Sequence, residues 1–204
     1  MNSKSIELFY DVGSTNSYFA LHLLKRLAVK YGVSVVYQPL NLGYLFRSNN
    51  YVLMDESKAK LRNRKRDLMR WAQRYELPFR MPHNFPIKTS PSLRGALAAR
   101  RFHKEEDYLF AVFSHYWEGE QKADEPAMQI DDVECLVQIA RSLDIDGEEF
   151  SAALNSPAIR QELIEATKSA LDRGVFGAPS ILIGDELYWG KDRMEFVEDE
   201  LKRF

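Results

Sequence analysis

The sequence predicts an α/β fold in which a β-α-β unit opens the chain, a β-β-α unit closes it, and a large all-helical insertion lies between them. Strand-type alternation occupies both ends, and no convincing strand pattern occurs between about residues 40 and 175. With 204 residues, of which 45% are hydrophobic, the chain is long enough for a sizeable core and an inserted subdomain.

The opening unit follows from local patterns. Residues 5–10 alternate and are rich in strand formers, and residues 11–16 have the composition of a turn. Across residues 17–31 apolar side chains recur at helical spacing, and Gly32 suits the left-handed position that ends a helix. Residues 33–37 predict a second strand. A β-α-β crossover of this kind favours parallel pairing of its strands.

The middle of the chain carries a succession of helical patterns. A long, strongly charged pattern covers residues 55–75, and the proline-punctuated segment 77–86 is typical of a loop. Basic residues spread around much of the charged helix, which favours a solvated face over a binding patch. Further helices are predicted at about residues 91–103, 106–118, 131–143, 147–153 and 157–173, the last returning to the first region.

The closing unit returns to strands. Residues 180–183 and 186–189 flank the tight-turn pair at 184–185, which indicates a hairpin. Gly190 then opens a last helix, with Asp192 placed near its N-cap.

Composition limits the function classes. The chain has 28 Lys and Arg against 30 Asp and Glu, so its net charge of −2 gives no general attraction to nucleic acid or anionic membranes. No apolar run follows a basic N-terminus, and no stretch approaches the roughly 20 apolar residues of a membrane helix. We therefore expect a cytoplasmic protein. The four histidines lack metal-ligand spacing, and no metal is expected.

The chain has one cysteine, Cys135, on a predicted apolar helix face. We interpret it as a buried structural thiol. A single cysteine excludes an internal disulfide and a Cys-x-x-Cys motif. Any thiol chemistry must then use a thiol from outside the protein.

Ser14 lies between the first strand and the helix after it. Backbone N–H groups at such a junction have no intrahelical partner, and the helix dipole is positive there, so the position stabilises an anion and lowers the pKa of a thiol. A serine hydroxyl can donate a hydrogen bond to that thiolate. The local sequence by itself favours a simpler role, in which Ser14, Asn16 or Ser17 is the helix N-cap.

Two further positions could contact a ligand. In a cis form of the Ala178-Pro179 peptide the Ala178 backbone would face outward and pair with an extended ligand, although the local sequence favours trans. At the Gly190 junction, Asp192 could accept a ligand ammonium group while free N–H groups hold a carboxylate. Here too the local sequence favours Asp192 as a plain N-cap.

Together these segments resemble a known family. Residues 9–20, Phe-Tyr-Asp-Val-Gly-Ser-Thr-Asn-Ser-Tyr-Phe-Ala, are similar to the opening motif of the 2-hydroxychromene-2-carboxylate isomerases, relatives of kappa-class glutathione transferases and DsbA-type oxidoreductases. Residues 175–180 resemble their cis-proline motif, and residues 184–193 resemble their closing hairpin and glutathione-binding helix start.

The resemblance covers essentially the whole chain and implies a thioredoxin-like fold. Residues 1–42 and 172–204 would form the thioredoxin-like domain, and residues 43–171 the inserted helical domain. Ser14 corresponds to the serine that contacts the glutathione sulfur.

The resemblance also implies the other contacts to glutathione. Ala178, beside the cis-proline Pro179, corresponds to the backbone partner of the cysteinyl unit. Lys191 and Asp192 correspond to the pair that grips the γ-glutamyl end.

A looser correspondence covers the segment after the second strand. Asn49 or Asn50, together with Lys60, fall where the family has polar contacts to glutathione or substrate. Lys60 is thus a candidate clamp for a substrate carboxylate.

The implied function is a glutathione-dependent isomerase that acts on 2-hydroxychromene-2-carboxylate or a related aromatic-degradation intermediate through reversible addition of the glutathione thiolate. Glutathione is the implied cofactor, a small aromatic carboxylate the substrate, and a homodimer the assembly. Two alternatives stay open: a kappa-class-like glutathione transferase that forms stable conjugates, and a redox-inactive thioredoxin-fold protein that binds peptides along the Ala178-Pro179 edge. A disulfide oxidoreductase is disfavoured because Ser14 and Ser17 offer no thiol pair.

Overall fold

A four-stranded mixed sheet forms the centre of the protein in a computed structural model that describes residues 5–52, 55–119 and 129–203. The strand order is β2-β1-β3-β4, and the strands are β1 Ser5–Tyr10, β2 Ser34–Pro39, β3 Ser180–Ile183 and β4 Glu186–Trp189. β1 pairs with β2 in parallel, β3 with β1 antiparallel, and β4 with β3 antiparallel. The predicted crossover and hairpin are confirmed.

The helices account for most of the remaining chain. They are α1 Thr15–Tyr31, α2 Leu42–Ser48, α3 Lys58–Tyr75, α4 Ser90–Arg100, α5 Glu105–Trp117, α6 Val133–Arg141, α7 Gly147–Asn155, α8 Pro157–Asp172 and α9 Met194–Leu201, with a 3₁₀ turn at Lys191–Arg193. Among the described residues between 40 and 175 no strand occurs, as predicted. None of the described helices is both long and apolar enough to span a bilayer.

The sheet buries both faces, because alternate side chains of a strand point to opposite sides. Leu8 and Tyr10 pack into the cluster that contains α1. Phe9, between them, joins Leu45 of α2 and Ala170 of α8 in a second cluster. Helices therefore cover both faces of the sheet.

The helical block continues the first cluster and does not form a separate core. Its largest fully buried side chains include Tyr108, Phe113, Trp117 and Phe150. The Trp117 indole N–H donates to the carbonyl of Val12 at 2.8 Å, which fixes α5 against the turn after β1. The domain boundaries at residues 42 and 172 stay a prediction.

Two features differ from the sequence expectation. Helix α2 was not predicted, because seven residues give too short a pattern; the Asn41 side chain caps it by accepting from the Tyr44 N–H at 3.0 Å. The last helix does not open directly at Gly190, because the 3₁₀ turn comes first and α9 follows from Met194.

Candidate active site

Ser14 caps α1 at the end of the turn that follows β1. Its backbone is extended, with φ −89° and ψ 116°, and its Oγ accepts from the Ser17 N–H at 3.2 Å. The same hydroxyl donates to the carbonyl of Ala178 at 3.1 Å. The N-cap interpretation is confirmed, and the cap is also joined to the loop that precedes β3.

The first two backbone N–H groups of α1 belong to Thr15 and Asn16. Within the described ranges, no acceptor takes a hydrogen bond from either group. They lie at the positive end of a 17-residue helix, so an anion placed there would be stabilised. The Ser14 hydroxyl carries one proton, so it can donate to such an anion only by releasing the Ala178 carbonyl.

The Ala178-Pro179 peptide is cis, which confirms what the resemblance implies, whereas the preference for trans from the local sequence alone is wrong. The contacts that surround the peptide come from distant segments: Ser14 holds the Ala178 carbonyl, and the Gly190 N–H donates to the Pro179 carbonyl at 2.9 Å. The Ala178 N–H has no acceptor among the residues that the structure describes. It is the group left to pair with an extended ligand backbone.

The Gly190 junction is built differently from the Ser14 junction. Gly190 has a left-handed φ of 95°, and no side chain caps the 3₁₀ turn after it. The prediction that Asp192 is the N-cap is therefore wrong. Asp192 lies inside the turn, where its carboxylate accepts from Lys191 Nζ at 2.5 Å.

Lys191 is almost completely buried, and its Nζ lies 4.3 Å from the ring centroid of Trp71 on α3. Asp192 keeps 49% of its side chain exposed. A cleft of about 330 Å³ opens here along α1, with Arg74 and Glu195 also on its wall. Charges of both signs line this cleft, which suits a zwitterionic group such as an amino acid end.

The structure brings Ser14, Ala178, Pro179, Lys191 and Asp192 into one continuous arrangement, but Lys60 lies apart from it. Its Nζ pairs with Glu56 at 2.9 Å, and 65% of the side chain is exposed. Trp71, which contacts Lys191, is eleven residues further along α3, about 16 Å at the helical rise.

Asn49 and Asn50 have no hydrogen bond to the Ser14 turn among the described residues. They follow α2, whose first residue Leu42 is held near the Ser14 turn and whose length is about 10 Å. Asn50 is exposed and left-handed, with φ 51°, and its N–H donates to the Arg47 carbonyl. Its predicted ligand contact stays a prediction.

Asp11 has a role that the sequence alone does not indicate. Its carboxylate is 1% exposed and accepts from the Gly13 N–H at 2.8 Å, the Leu42 N–H at 2.9 Å and the Thr89 hydroxyl at 3.1 Å. Burial raises the pKa of Asp11, and the three hydrogen bonds oppose that rise. One carboxylate thus fixes the Ser14 turn to the starts of α2 and α4. An acidic residue directly after a buried strand was the only available signal, since its main partners are 31 and 78 residues away.

Cys135 is fully buried in α6, so the prediction of a buried thiol is confirmed. Burial, aided by Asp132 and Asp131, raises the pKa of the thiol to about 11. A buried thiol with a raised pKa is a weak nucleophile at neutral pH. Across residues 5–52, 55–119 and 129–203, no group of three His, Cys, Asp or Glu could hold a metal ion.

The sheet order and the pairing of Ser14 with a cis-proline loop define a thioredoxin-fold protein, and a family model described as a DSBA-like thioredoxin domain matches residues 5–202. A 2-hydroxychromene-2-carboxylate isomerase of Pseudomonas sp. (strain C18) is 31% identical over 204 residues, which cover 95% of this chain and 88% of that protein. A solved structure of 2-hydroxychromene-2-carboxylate isomerase matches with a TM-score of 0.83 and 29% identity, over 98% of this chain and 95% of the other. Glutathione s-transferase kappa 2 of Caenorhabditis elegans is 25% identical over 98% of this chain and 92% of that protein.

The chain therefore belongs to the DSBA-like thioredoxin family, within the group that contains the 2-hydroxychromene-2-carboxylate isomerases. The predicted thioredoxin-like fold with a helical insertion is confirmed.

Proposed function

We propose that the protein is a glutathione-dependent isomerase that acts on 2-hydroxychromene-2-carboxylate or a related aromatic-degradation intermediate. The observation that carries the proposal is the Ser14 junction, where two free N–H groups and a hydroxyl converge at a helix start. The single cysteine of the chain is buried and the pKa of its thiol is raised, so a thiolate at this junction would come from outside the protein. The similarity to isomerases over nearly the whole chain supports the same assignment.

The residues at the two junctions fit the parts of glutathione. Thr15, Asn16 and Ser14 offer donors for the sulfur, and the Ala178 N–H offers a donor for the cysteinyl backbone. Lys191 and Asp192 offer one charge of each sign for an amino acid end.

Glutathione would supply a nucleophilic thiol that is returned unchanged after the isomerisation. The chain's own contribution is electrostatic. The start of α1 would favour the ionised sulfur because its N–H groups are already oriented and need no rearrangement. The Ser14 hydroxyl would turn from Ala178 toward the sulfur, and the site would hold the reacting atoms in contact.

A kappa-class-like transferase is the second candidate, favoured by the match to glutathione s-transferase kappa 2. It would use the same junction and differ only in releasing a stable conjugate. The amount of glutathione consumed per turnover therefore distinguishes the two activities.

The test has two steps. Calorimetric titration of the full chain with glutathione should show saturable binding at or below millimolar concentration. The assay with 2-hydroxychromene-2-carboxylate should then show turnover that needs glutathione and leaves its total concentration constant. Accumulation of a conjugate would assign a transferase, and no binding at millimolar glutathione would favour a peptide-binding protein.

A further inference from the structure

A second cleft, of about 610 Å³, lies between the start of α2, the start of α4 and the middle of α8. Its wall carries four cationic side chains, from Lys88, Arg94, Arg160 and Lys168. No carboxylate is among its described lining residues. The cleft therefore has a strong positive charge in a protein whose net charge is −2.

The cations of this cleft differ from their neighbours in having no partners. On α4, Arg100 donates to both carboxylate oxygens of Glu105. In the part of the chain that the structure describes, no hydrogen bond or ion pair engages any of the four cations of the cleft. The two acids of α8 between Arg160 and Lys168 have other partners: Glu162 pairs with Arg100 and Arg101, and Glu165 accepts from Gln161. The cleft thus keeps unneutralised charge that an anionic ligand would satisfy.

Arg94 is the most constrained of the four. It is half-buried, and its Nε is inaccessible to solvent and lacks a hydrogen-bond partner. Burial and the nearby charge of Arg160 lower the pKa of Arg94. A buried donor without an acceptor is unfavourable, and so are two guanidinium groups in proximity. An anion between them would relieve both costs.

Part of the lining of the cleft is apolar and aromatic. Leu163 and Ile164 of α8 and Tyr44 of α2 line it, and Ile164 and Tyr44 are each 42% exposed. Large exposed apolar side chains beside unpaired cations fit a ligand with a carboxylate at one end and a ring at the other.

The cleft lies at the same edge of the sheet as Ser14. One carboxylate oxygen of Asp11 accepts from the Gly13 N–H, and the other accepts from Leu42 and Thr89. Leu42 and Thr89 are each adjacent in sequence to residues that line the cleft: Asn41, Lys88 and Ser90. A single carboxylate thus separates the Ser14 turn from the rim of the cleft.

We propose that this cleft binds an aromatic carboxylate, with the carboxylate between Arg94 and Arg160 and the ring against Tyr44, Leu163 and Ile164. That this ligand is the substrate rests on the function proposed above. Arg94 and Arg160 then take the place expected for Lys60 from sequence.

The test titrates the full-length protein with salicylate, with its uncharged analogue 2-hydroxybenzyl alcohol, and with inorganic phosphate as a competitor. Salicylate should bind the unmodified protein, and 2-hydroxybenzyl alcohol should bind at least tenfold more weakly. Phosphate at equal concentration should not displace salicylate. Arg160→Gln and Arg94→Met should each weaken salicylate binding about tenfold. Arg101→Gln is the matched control, because Arg101 is an exposed arginine that follows α4, pairs with Glu162 of α8 and does not line the cleft, so the change should leave binding unchanged.

Equal affinity for the alcohol, displacement by equimolar phosphate, or unchanged salicylate binding in both cleft variants would overturn the proposal. Arg160 is exposed, so Arg160→Gln alone decides the matter if Arg94→Met does not fold. Glutathione is titrated in parallel with the same samples. If the unmodified protein does not bind glutathione, the proposed function is refuted, whatever the salicylate titration shows. Failure of the proposed function and failure of the cleft proposal are therefore distinguishable.

Discussion

The two strand-to-helix junctions of the chain, at Ser14 and at Gly190, look alike in sequence and differ in structure. At Ser14 a side chain caps the helix, and a buried carboxylate, Asp11, fixes the turn. At Gly190 a 3₁₀ turn precedes the helix without a side-chain cap. The carboxylate there, Asp192, is half exposed and bound to Lys191.

The difference indicates two kinds of ligand contact. Fixed N–H groups without a competing cation suit a small anion, because they are oriented before it arrives. A pair of opposite charges suits a zwitterionic end, because each member can exchange its partner for a ligand group. Under the proposed function, the Ser14 junction would activate the thiol and the Gly190 junction would hold the other end of glutathione. Substitutions at each junction, and one outside both, test this difference.

The largest effect is expected from Asp11→Ala, which removes the rigidity of the Ser14 junction. The change leaves one buried and two partly buried donors without their acceptor, so we expect the free energy of unfolding to fall by about 3 kcal/mol. Urea denaturation measures it. Asp146→Ala is the control, because Asp146 also accepts from two backbone N–H groups but is exposed, so it should cost only about 1 kcal/mol. Equal losses would show that the Ser14 turn does not depend on buried Asp11.

The next effect is expected from Ser14→Ala, which keeps the N–H groups of α1 and removes the hydroxyl donor. We expect turnover to fall about 100-fold, the usual cost of one donor to a developing or bound anion. The pKa of bound glutathione should rise, as measured by thiolate absorbance.

Ser156→Ala separates this effect from simple loss of a cap. Ser156 caps α8 in the same way, accepting from the Ile159 N–H at 3.2 Å and donating to the Ala153 carbonyl at 2.7 Å. Both variants should lose about 1 kcal/mol of stability, but only Ser14→Ala should lose activity. An unchanged rate and thiol pKa in Ser14→Ala would remove Ser14 from the site.

A smaller effect is expected from Lys191→Met at the other junction. Methionine keeps an apolar contact with Trp71 and removes the charge that pairs with Asp192. We expect the KM for glutathione to rise about tenfold and kcat to stay within about twofold. The reason is that an interaction with the end of glutathione remote from the sulfur stabilises the ground state and the transition state equally. Lys202→Met, which breaks an exposed pair with Asp199, should change neither constant. A fall in kcat at unchanged KM would contradict the division between the junctions.

The sequence predicted the fold and the junctions because their signals are local. The alternation of residues 5–10, the helical spacing up to Gly32 and the turn at Gly184-Asp185 each lie within one element, and all three are confirmed. The contacts that shape the site are not local. Asp11 finds Thr89, Lys191 finds Trp71, and Arg94 finds Arg160 only after the chain has folded. For the same reason the local preference for a trans Ala178-Pro179 peptide was wrong.

The smallest effect is expected from Lys60→Gln, which lies outside both junctions. Lys60 shares Glu56 with Arg64 at 2.6 Å and the Tyr51 hydroxyl at 3.0 Å, so the carboxylate keeps its partners when the lysine is neutralised. We expect stability within about 0.5 kcal/mol of the unmodified protein and both KM values within about twofold. Steady-state kinetics of Lys60→Gln and Arg160→Gln are compared, because only the arginine change should raise the KM for the carboxylate substrate. A tenfold rise in either KM for Lys60→Gln would place the start of α3 at a ligand, in addition to the two junctions and the cationic cleft.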